Sequence, residues 1–188
     1  MKKFVISLLS VIFLCAAATA QVLVGMTDTT AYFPQLEGRR VAVLANHTAV
    51  ARFGDGAPGV AADAAVRLPG AASDGTIHLV DLLHGRGFDV TGIFSPEHGF
   101  RGTADAGEHV ASSVDAATGI PIRSLYDGNT KRPSDEAMRS FDVLVVDMQD
   151  VGLRFYTYYI TMLRMMDACA EFGRTVVVLD RPNPNGHL

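Results

Sequence analysis

Residues 142–147 read Asp-Val-Leu-Val-Val-Asp, a β-branched apolar run with an acid at each end. A strand that is apolar on both faces must be covered on both, so it belongs inside a sheet flanked by helices rather than in a half-solvated meander. Behind it, residues 153–172 carry apolar side chains at three- and four-residue intervals, through Tyr156, Tyr159, Ile160, Leu163, Met166 and Ala170. That spacing predicts a helix, with Gly173 as its C-terminal stop. Residues 175–179 return to a β-branched run. Strand, helix and strand in this order form a parallel unit with a crossover.

The same alternation appears upstream. Residues 39–46 predict a buried strand, residues 77–87 a helix spaced by Ile77, Val80, Leu83 and His84 and stopped by Gly85 or Gly87, and residues 89–94 a second strand. The expected fold is therefore α/β, a Rossmann-like open, mostly parallel sheet with helices on both faces. Two segments break the pattern. Residues 49–75 are rich in Gly, Ala, Pro and Asp without a sustained period, and residues 95–118 are polar, with Pro96 and several glycines, acids and histidines. Both read as long loops.

At the N-terminus, Met1-Lys2-Lys3 precedes an apolar run over residues 4–15 and then Ala16-Ala17-Ala18-Thr19-Ala20. This order predicts a secretory signal peptide over residues 1–20, cut before Gln21, with an apolar stretch shorter than the roughly 20 residues of a membrane span. The expected protein is exported, periplasmic or secreted, and keeps no stable membrane anchor once the leader is cut. Of the two cysteines only Cys169 then remains, so no internal disulfide forms. Residues 21–188 fit one domain. A formal net charge of -4 argues against a nucleic-acid partner, and 48% hydrophobic residues suit a packed core.

In open parallel sheets, ligands bind beyond the carboxyl ends of the strands. Each predicted strand is followed by a polar cluster: Asn46-His47-Thr48, Ser95-Pro96-Glu97-His98, Asp147-Met148-Gln149-Asp150 and Asp180-Arg181-Pro182-Asn183. Glu97 follows a proline that stiffens its turn, and its neighbours Phe94 and Phe100 could raise its pKa toward that of a general acid; a loop-bracing glutamate is the plainer alternative. Glycosidic cleavage usually pairs two carboxyl groups, and Asp105, Glu108, Asp147 and Asp150 compete for the second place. Arg154 and Tyr158, four residues apart, would share a helix face from which the arginine could clamp a carboxylate or pair with Asp150. His47, His98, His109, Asp105 and Glu108 lack any recognised metal-ligand spacing, and no phosphate-binding glycine motif occurs, so neither a metal nor another cofactor is expected.

Several phrases occur together and in order: Ser95-Pro96-Glu97-His98-Gly99-Phe100-Arg101-Gly102, Asp105-Ala106-Gly107-Glu108, Ser124-Leu125-Tyr126, the run from Asp147-Met148-Gln149-Asp150 through Arg154-Phe155-Tyr156-Thr157-Tyr158, and Leu179-Asp180-Arg181-Pro182-Asn183-Pro184. As a set they resemble the exo-β-N-acetylmuramidases, a glycoside hydrolase family formerly classed as a domain of unknown function. The resemblance runs from about Val41 to the end and covers the N-terminal, Rossmann-like catalytic domain, residues 21–188, without the C-terminal domain that family members carry. It implies removal of terminal N-acetylmuramic acid from the non-reducing end of peptidoglycan fragments in cell-wall turnover or recycling, with muramyl saccharides as partners. It implies Glu97 as catalytic acid; Asp150 is the candidate second catalytic residue, with a water or the substrate's own acetamido oxygen as the alternatives for that place. Asn46, His98, Arg101, Asp105, Glu108, Gln149, Arg154, Tyr156, Asp180, Arg181 and Asn183 then orient and bind the sugar. The 49–75 insertion departs from the family pattern. Two readings from other classes stand beside this one: a noncatalytic periplasmic muramyl-sugar binder, and a metal-dependent amidase or deacetylase that chelators would silence.

Overall fold

The computed structural model describes residues 23–53, 70–73, 75–96, 99–101, 113–125 and 132–186. The expected signal peptide lies outside them. Eight strands are described: β1 (Arg40–Ala45), β2 (Val50–Arg52), β3 (Thr76–His78), β4 (Asp89–Ser95), β5 (Ser113–Val114), β6 (Pro121–Ser124), β7 (Val143–Asp147) and β8 (Thr175–Val178). Four α-helices accompany them, α1 (Thr29–Leu36), α2 (Leu79–Gly85), α3 (Asp135–Arg139) and α4 (Thr157–Glu171), after a short 3-10 turn at Gly25–Thr27. Six strands form one sheet in the order β5-β6-β4-β1-β7-β8. All its pairings are parallel except that of the edge strand β5, and β2 and β3 form a separate antiparallel ribbon.

The expected α/β architecture is present, and β1 shows how the sequence builds it. Alternate residues of a strand point to opposite faces. Val41, Val43 and Ala45 join Tyr32 and Leu36 of α1 and Leu79, Leu82 and Leu83 of α2 in one core. Ala42 and Leu44 join Met138 of α3 and Met165, Ala168 and Cys169 of α4 in the other. Crossovers that leave β1 in opposite directions with one handedness must put their helices on opposite faces. All five residues of β7 are buried, as a run covered on both sides requires.

The long helix departs from its reading. It starts at Thr157 rather than residue 153, and it buries Tyr158, Thr161, Met165, Ala168 and Cys169, while Tyr159, Leu163 and Met166 are exposed. Two apolar stripes run along α4, and the more hydrophobic one faces outward. Arg154 therefore precedes the helix, and the shared face expected of Arg154 and Tyr158 does not form. The helix expected over residues 77–87 is shorter because Ile77 and His78 belong to β3, and His78 becomes its N-cap. Both segments read as loops contain a strand, β2 in residues 49–75 and β5 in residues 95–118, and β3 begins directly after the first.

Register places the site. Ala45 lies opposite Asp147, Val146 opposite Val178 and Leu44 opposite Phe94, so the chain leaves β1, β4, β7 and β8 at one edge and at one height. Between β1 and β7 the connections turn opposite ways, which opens a crevice at the switch point.

Candidate active site at the sheet edge

Asp147 ends β7 and is fully buried. Both of its oxygens are taken by Arg181, which follows β8. The guanidinium Nε donates to Oδ1 and Nη2 to Oδ2 at 3.0 Å, while Nη2 also donates to the carbonyl of Val50 in β2 at 3.1 Å. Burial pushes the Asp147 carboxyl above its ordinary range, and the guanidinium opposes that shift. A planar fork that satisfies both oxygens holds β7, β8 and the β2–β3 ribbon in fixed relation. Both Asp147 oxygens are thus committed to Arg181.

A second network crosses the switch point. Asn46 is fully buried, and its Oδ1 accepts from the Thr48 backbone at 3.0 Å and from the Thr48 hydroxyl at 2.6 Å. The same hydroxyl oxygen accepts from the backbone N–H of Gln149 at 3.0 Å. Gln149 Nε2 donates to the carbonyls of Asp150 at 2.8 Å and Pro182 at 2.9 Å, which stitches the loop after β7 to the loop after β8. Behind Asn46, His78 Nδ1 accepts from Val80 N at 3.2 Å, so the ring proton sits on Nε2 and is donated to the Asn46 carbonyl 2.9 Å away. Burial lowers the His78 pKa, which keeps this neutral tautomer.

Among the described residues, two polar atoms of this edge are buried without a partner: Asn46 Nδ2 and Asp150 Oδ2. The other Asp150 oxygen accepts from Gly152 N at 2.7 Å. Gly152 has a φ of +72°, and a Cβ there would sit 2.1 Å from Asn183 Oδ1, so the turn that presents Asp150 requires glycine. Asn183 Oδ1 in turn accepts from Asn185 N at 2.9 Å, and Asn185 Nδ2 donates to Val151 O at 2.7 Å. Leaving a buried acceptor unpaired costs about 1–3 kcal/mol, a standing strain of the kind found where ligands bind.

A pocket of about 300 Å³ opens between α4 and the ends of β7 and β8, and Gln149, Asp150, Asp180, Arg181 and Asn183 line it together with Tyr158 and Met162. A larger cavity of about 710 Å³ lies between β6 and α3, but none of the candidate residues lines it. Convergent polar groups, not volume, mark the smaller one as the candidate site.

The remaining expected residues divide three ways. Glu97, His98, Asp105 and Glu108 lie outside the described residues; beside the first two, Gly99 N donates to Pro96 O at 3.2 Å. Arg101 spends four N–H groups on carboxylates, two on Asp115 at 2.9 Å each and two on Asp81 at 3.0 and 3.1 Å, so its geometry braces β5, α2 and the chain after β4. Arg154 and Tyr156 flank the start of α4: Tyr156 is its N-cap, stacked edge-on against Tyr158, and the exposed Arg154 gives its carbonyl to the Tyr159 hydroxyl at 3.0 Å. Asp180 stands exposed, with its carbonyl accepting from Gly25 N at 2.7 Å. Thr48 and His78 were not singled out by spacing. His78 precedes an apolar run where a cap belongs, but histidine is an uncommon cap, and only the fold brings it to Asn46.

Against known proteins, a family model described as the N-terminal part of exo-beta-N-acetylmuramidase NamZ matches residues 59–188. The peptidoglycan beta-N-acetylmuramidase NamZ of Bacillus subtilis is 50% identical over 108 residues, 57% of this chain and 26% of that protein. Two crystal structures of DUF1343 family proteins from Bacteroides fragilis superpose with TM-scores of 0.65, at 45% and 34% identity over 89% and 88% of this chain and 37% and 36% of theirs. The chain therefore spans about a quarter to somewhat over a third of the length of these relatives. The breadth of the family match and the shared fold lead to one conclusion: this chain belongs to the exo-β-N-acetylmuramidase NamZ family and carries its N-terminal part.

Proposed function

We propose that this chain is the sugar-binding, acid-bearing part of an exported exo-β-N-acetylmuramidase that releases terminal N-acetylmuramic acid from the non-reducing end of peptidoglycan fragments, in the turnover or recycling of the cell wall. The observation that carries the proposal is the pocket at the sheet's carboxyl edge, where Asp150 presents an uncommitted carboxylate oxygen among groups held by the Asn46–Thr48–Gln149 and Asp147–Arg181 networks. At about 300 Å³ the pocket suits one sugar unit, as removal of a terminal residue requires. Glu97, two residues past β4, protonates the leaving oxygen in this reading, and Asp150 is the carboxylate facing the sugar it leaves behind. Arg154, an exposed arginine between the pocket-lining Gly152 and Tyr158 in sequence, takes the lactyl carboxylate in this reading. The leader over residues 1–20 exports the chain to the compartment that holds its substrate.

The test is release of N-acetylmuramic acid from a chromogenic β-N-acetylmuramide by wild type and by Glu97→Gln. Loss of a general acid predicts a fall of roughly 10²–10⁴-fold in kcat. An unimpaired variant removes Glu97 from the chemistry, and binding without release by wild type makes the chain a binder.

A further inference from the structure

Arg101 lies four residues beyond Glu97 and is gripped from two sides. A guanidinium has two edges that can fork a carboxylate, and here both are filled. The Nε–Nη2 edge donates to Asp115 Oδ1 and Oδ2 at 2.9 Å each, and the Nη1–Nη2 edge donates to Asp81 Oδ2 and Oδ1 at 3.1 and 3.0 Å. Neither edge is left to clamp the lactyl carboxylate of a substrate. Asp81 belongs to the first turn of α2, and Asp115 to the turn between β5 and β6, where its Oδ2 also accepts from the Thr118 hydroxyl at 2.7 Å. Both acids are largely buried, which spares these pairs the screening that weakens surface ion pairs. Balancing one arginine takes one acid, so the second serves geometry: a single pair would let the chain hinge about that carboxylate, and two pairs on separate elements remove the hinge.

The residue before Arg101 is held as well. Phe100 is buried, its ring edge-on to His78 with centroids 4.8 Å apart, and the Arg101 guanidinium lies 4.8 Å from its centroid. His78 holds the Asn46 carbonyl at 2.9 Å, which ties this segment to the end of β1 as well as to α2. On the upstream side, Ser95 ends β4 with its carbonyl accepting from Leu125 N at 3.0 Å. In sequence, Glu97 stands two residues from Ser95 and two from Gly99, where the held segment begins. A misplacement of about 1 Å at a reacting group can cost about 10²-fold in rate, so fixed flanks on both sides matter to an acid. We infer, resting on the reading of Glu97 as that acid, that Arg101 is a positioning residue for it and not a sugar ligand: the Asp81–Arg101–Asp115 clamp fixes the downstream flank of the catalytic glutamate.

Steady-state release from a chromogenic β-N-acetylmuramide, well below every melting transition, tests this with wild type, Arg101→Lys, Asp81→Asn, Asp115→Asn, Glu97→Gln and Met165→Ala. Lysine keeps the charge but has no fork with which to hold both acids, and asparagine keeps the shape of each acid without its charge. The expected result is a kcat lower by about ten- to a hundred-fold in Arg101→Lys, and by less in each aspartate variant, with KM within about two-fold of wild type. Adding Asp115→Asn to Arg101→Lys costs little more than Arg101→Lys alone, because both break one clamp. Met165→Ala, destabilised in the core on the other face of the sheet, keeps its kcat. Should Arg101→Lys fail to fold, the two aspartate variants decide the question by the same split. A raised KM with unchanged kcat makes Arg101 a sugar ligand and overturns the inference, and so does a kcat no lower than that of Met165→Ala; beside an inactive Glu97→Gln, either outcome leaves the acid reading standing. An unimpaired Glu97→Gln, or a wild type that releases nothing, overturns both.

Discussion

Removing Arg181 exposes what the sheet edge depends on. Arg181→Met withdraws two charge-assisted bonds from Asp147 and one from the Val50 carbonyl, and it leaves a fully buried carboxylate without a counter-ion. Stranding one partner of a buried pair costs about 3–5 kcal/mol. For a domain of this size that lowers the melting temperature by roughly 6–20 °C, at about 2–4 °C per kcal/mol. The deficit depends on pH in a direction that can be worked out. Burial already raises the Asp147 pKa, and without the guanidinium nothing opposes the shift, so the folded variant holds a proton that the unfolded chain has released. Stability of the variant therefore recovers relative to wild type as the pH falls toward the unfolded carboxylate pKa of about 4. Replacing both partners, in Asp147→Leu with Arg181→Met, removes the stranded charge and restores most of the loss. Thermal unfolding followed by circular dichroism across that pH range measures each term. A single variant that loses less than about 1 kcal/mol, with a deficit independent of pH, would refute the claim that a buried ion pair fastens this edge.

Other substitutions probe the remaining links. Thr48→Val keeps the shape but deletes the hydroxyl between Asn46 and Gln149, which costs about 1–3 kcal/mol in urea unfolding through the unpaired groups left behind. Met165→Ala, on the buried stripe of α4, costs about 2–5 kcal/mol, whereas Leu163→Ala on the exposed stripe changes stability by about 0.5 kcal/mol or less; the reverse order would mean the helix packs on its other face. At the opposite end of the sheet, hydrogen bonds from Arg40 depress the Asp142 pKa to about 2. Its contribution is complete above the unfolded carboxylate pKa of about 4 and is lost as the pH falls toward 2, so Asp142→Asn flattens the acid limb of the stability profile within that window.

The sheet was legible because its central strands carry apolar, partly β-branched runs, as in β1 and the fully buried β7, and because polar clusters follow the predicted strands, as at Asn46 and Gln149. Placement of those clusters on one edge followed from parallel connectivity alone. What spacing hid was packing. On α4 the stripe of Tyr159, Leu163 and Met166 is more hydrophobic than the one that touches the sheet, so periodicity pointed to the wrong face. Short elements escaped for a different reason: α3 has five residues, started by the Ser134 hydroxyl accepting from Ala137 N at 3.2 Å rather than by an apolar stripe, and β6 reads Pro-Ile-Arg-Ser. At the site, sequence position could not separate Asp147 from Asp150. They are three residues apart, yet one lies buried in a bidentate pair and the other keeps a vacant oxygen beside the pocket. Nor could it assign Arg101, whose partners Asp81 and Asp115 lie 20 and 14 residues away on either side.

The direct measurement is a titration of the ¹⁵N-labelled chain with N-acetylmuramic acid, followed by amide chemical shifts. A sugar seated beyond β1, β7 and β8 moves the resonances of residues 46–48, 149–152 and 180–183 together and leaves those of residues 113–125 in place. Shifts gathered instead around Arg123 and Asp135, in the larger cavity beside β6, would put the ligand elsewhere and contradict the account at its centre.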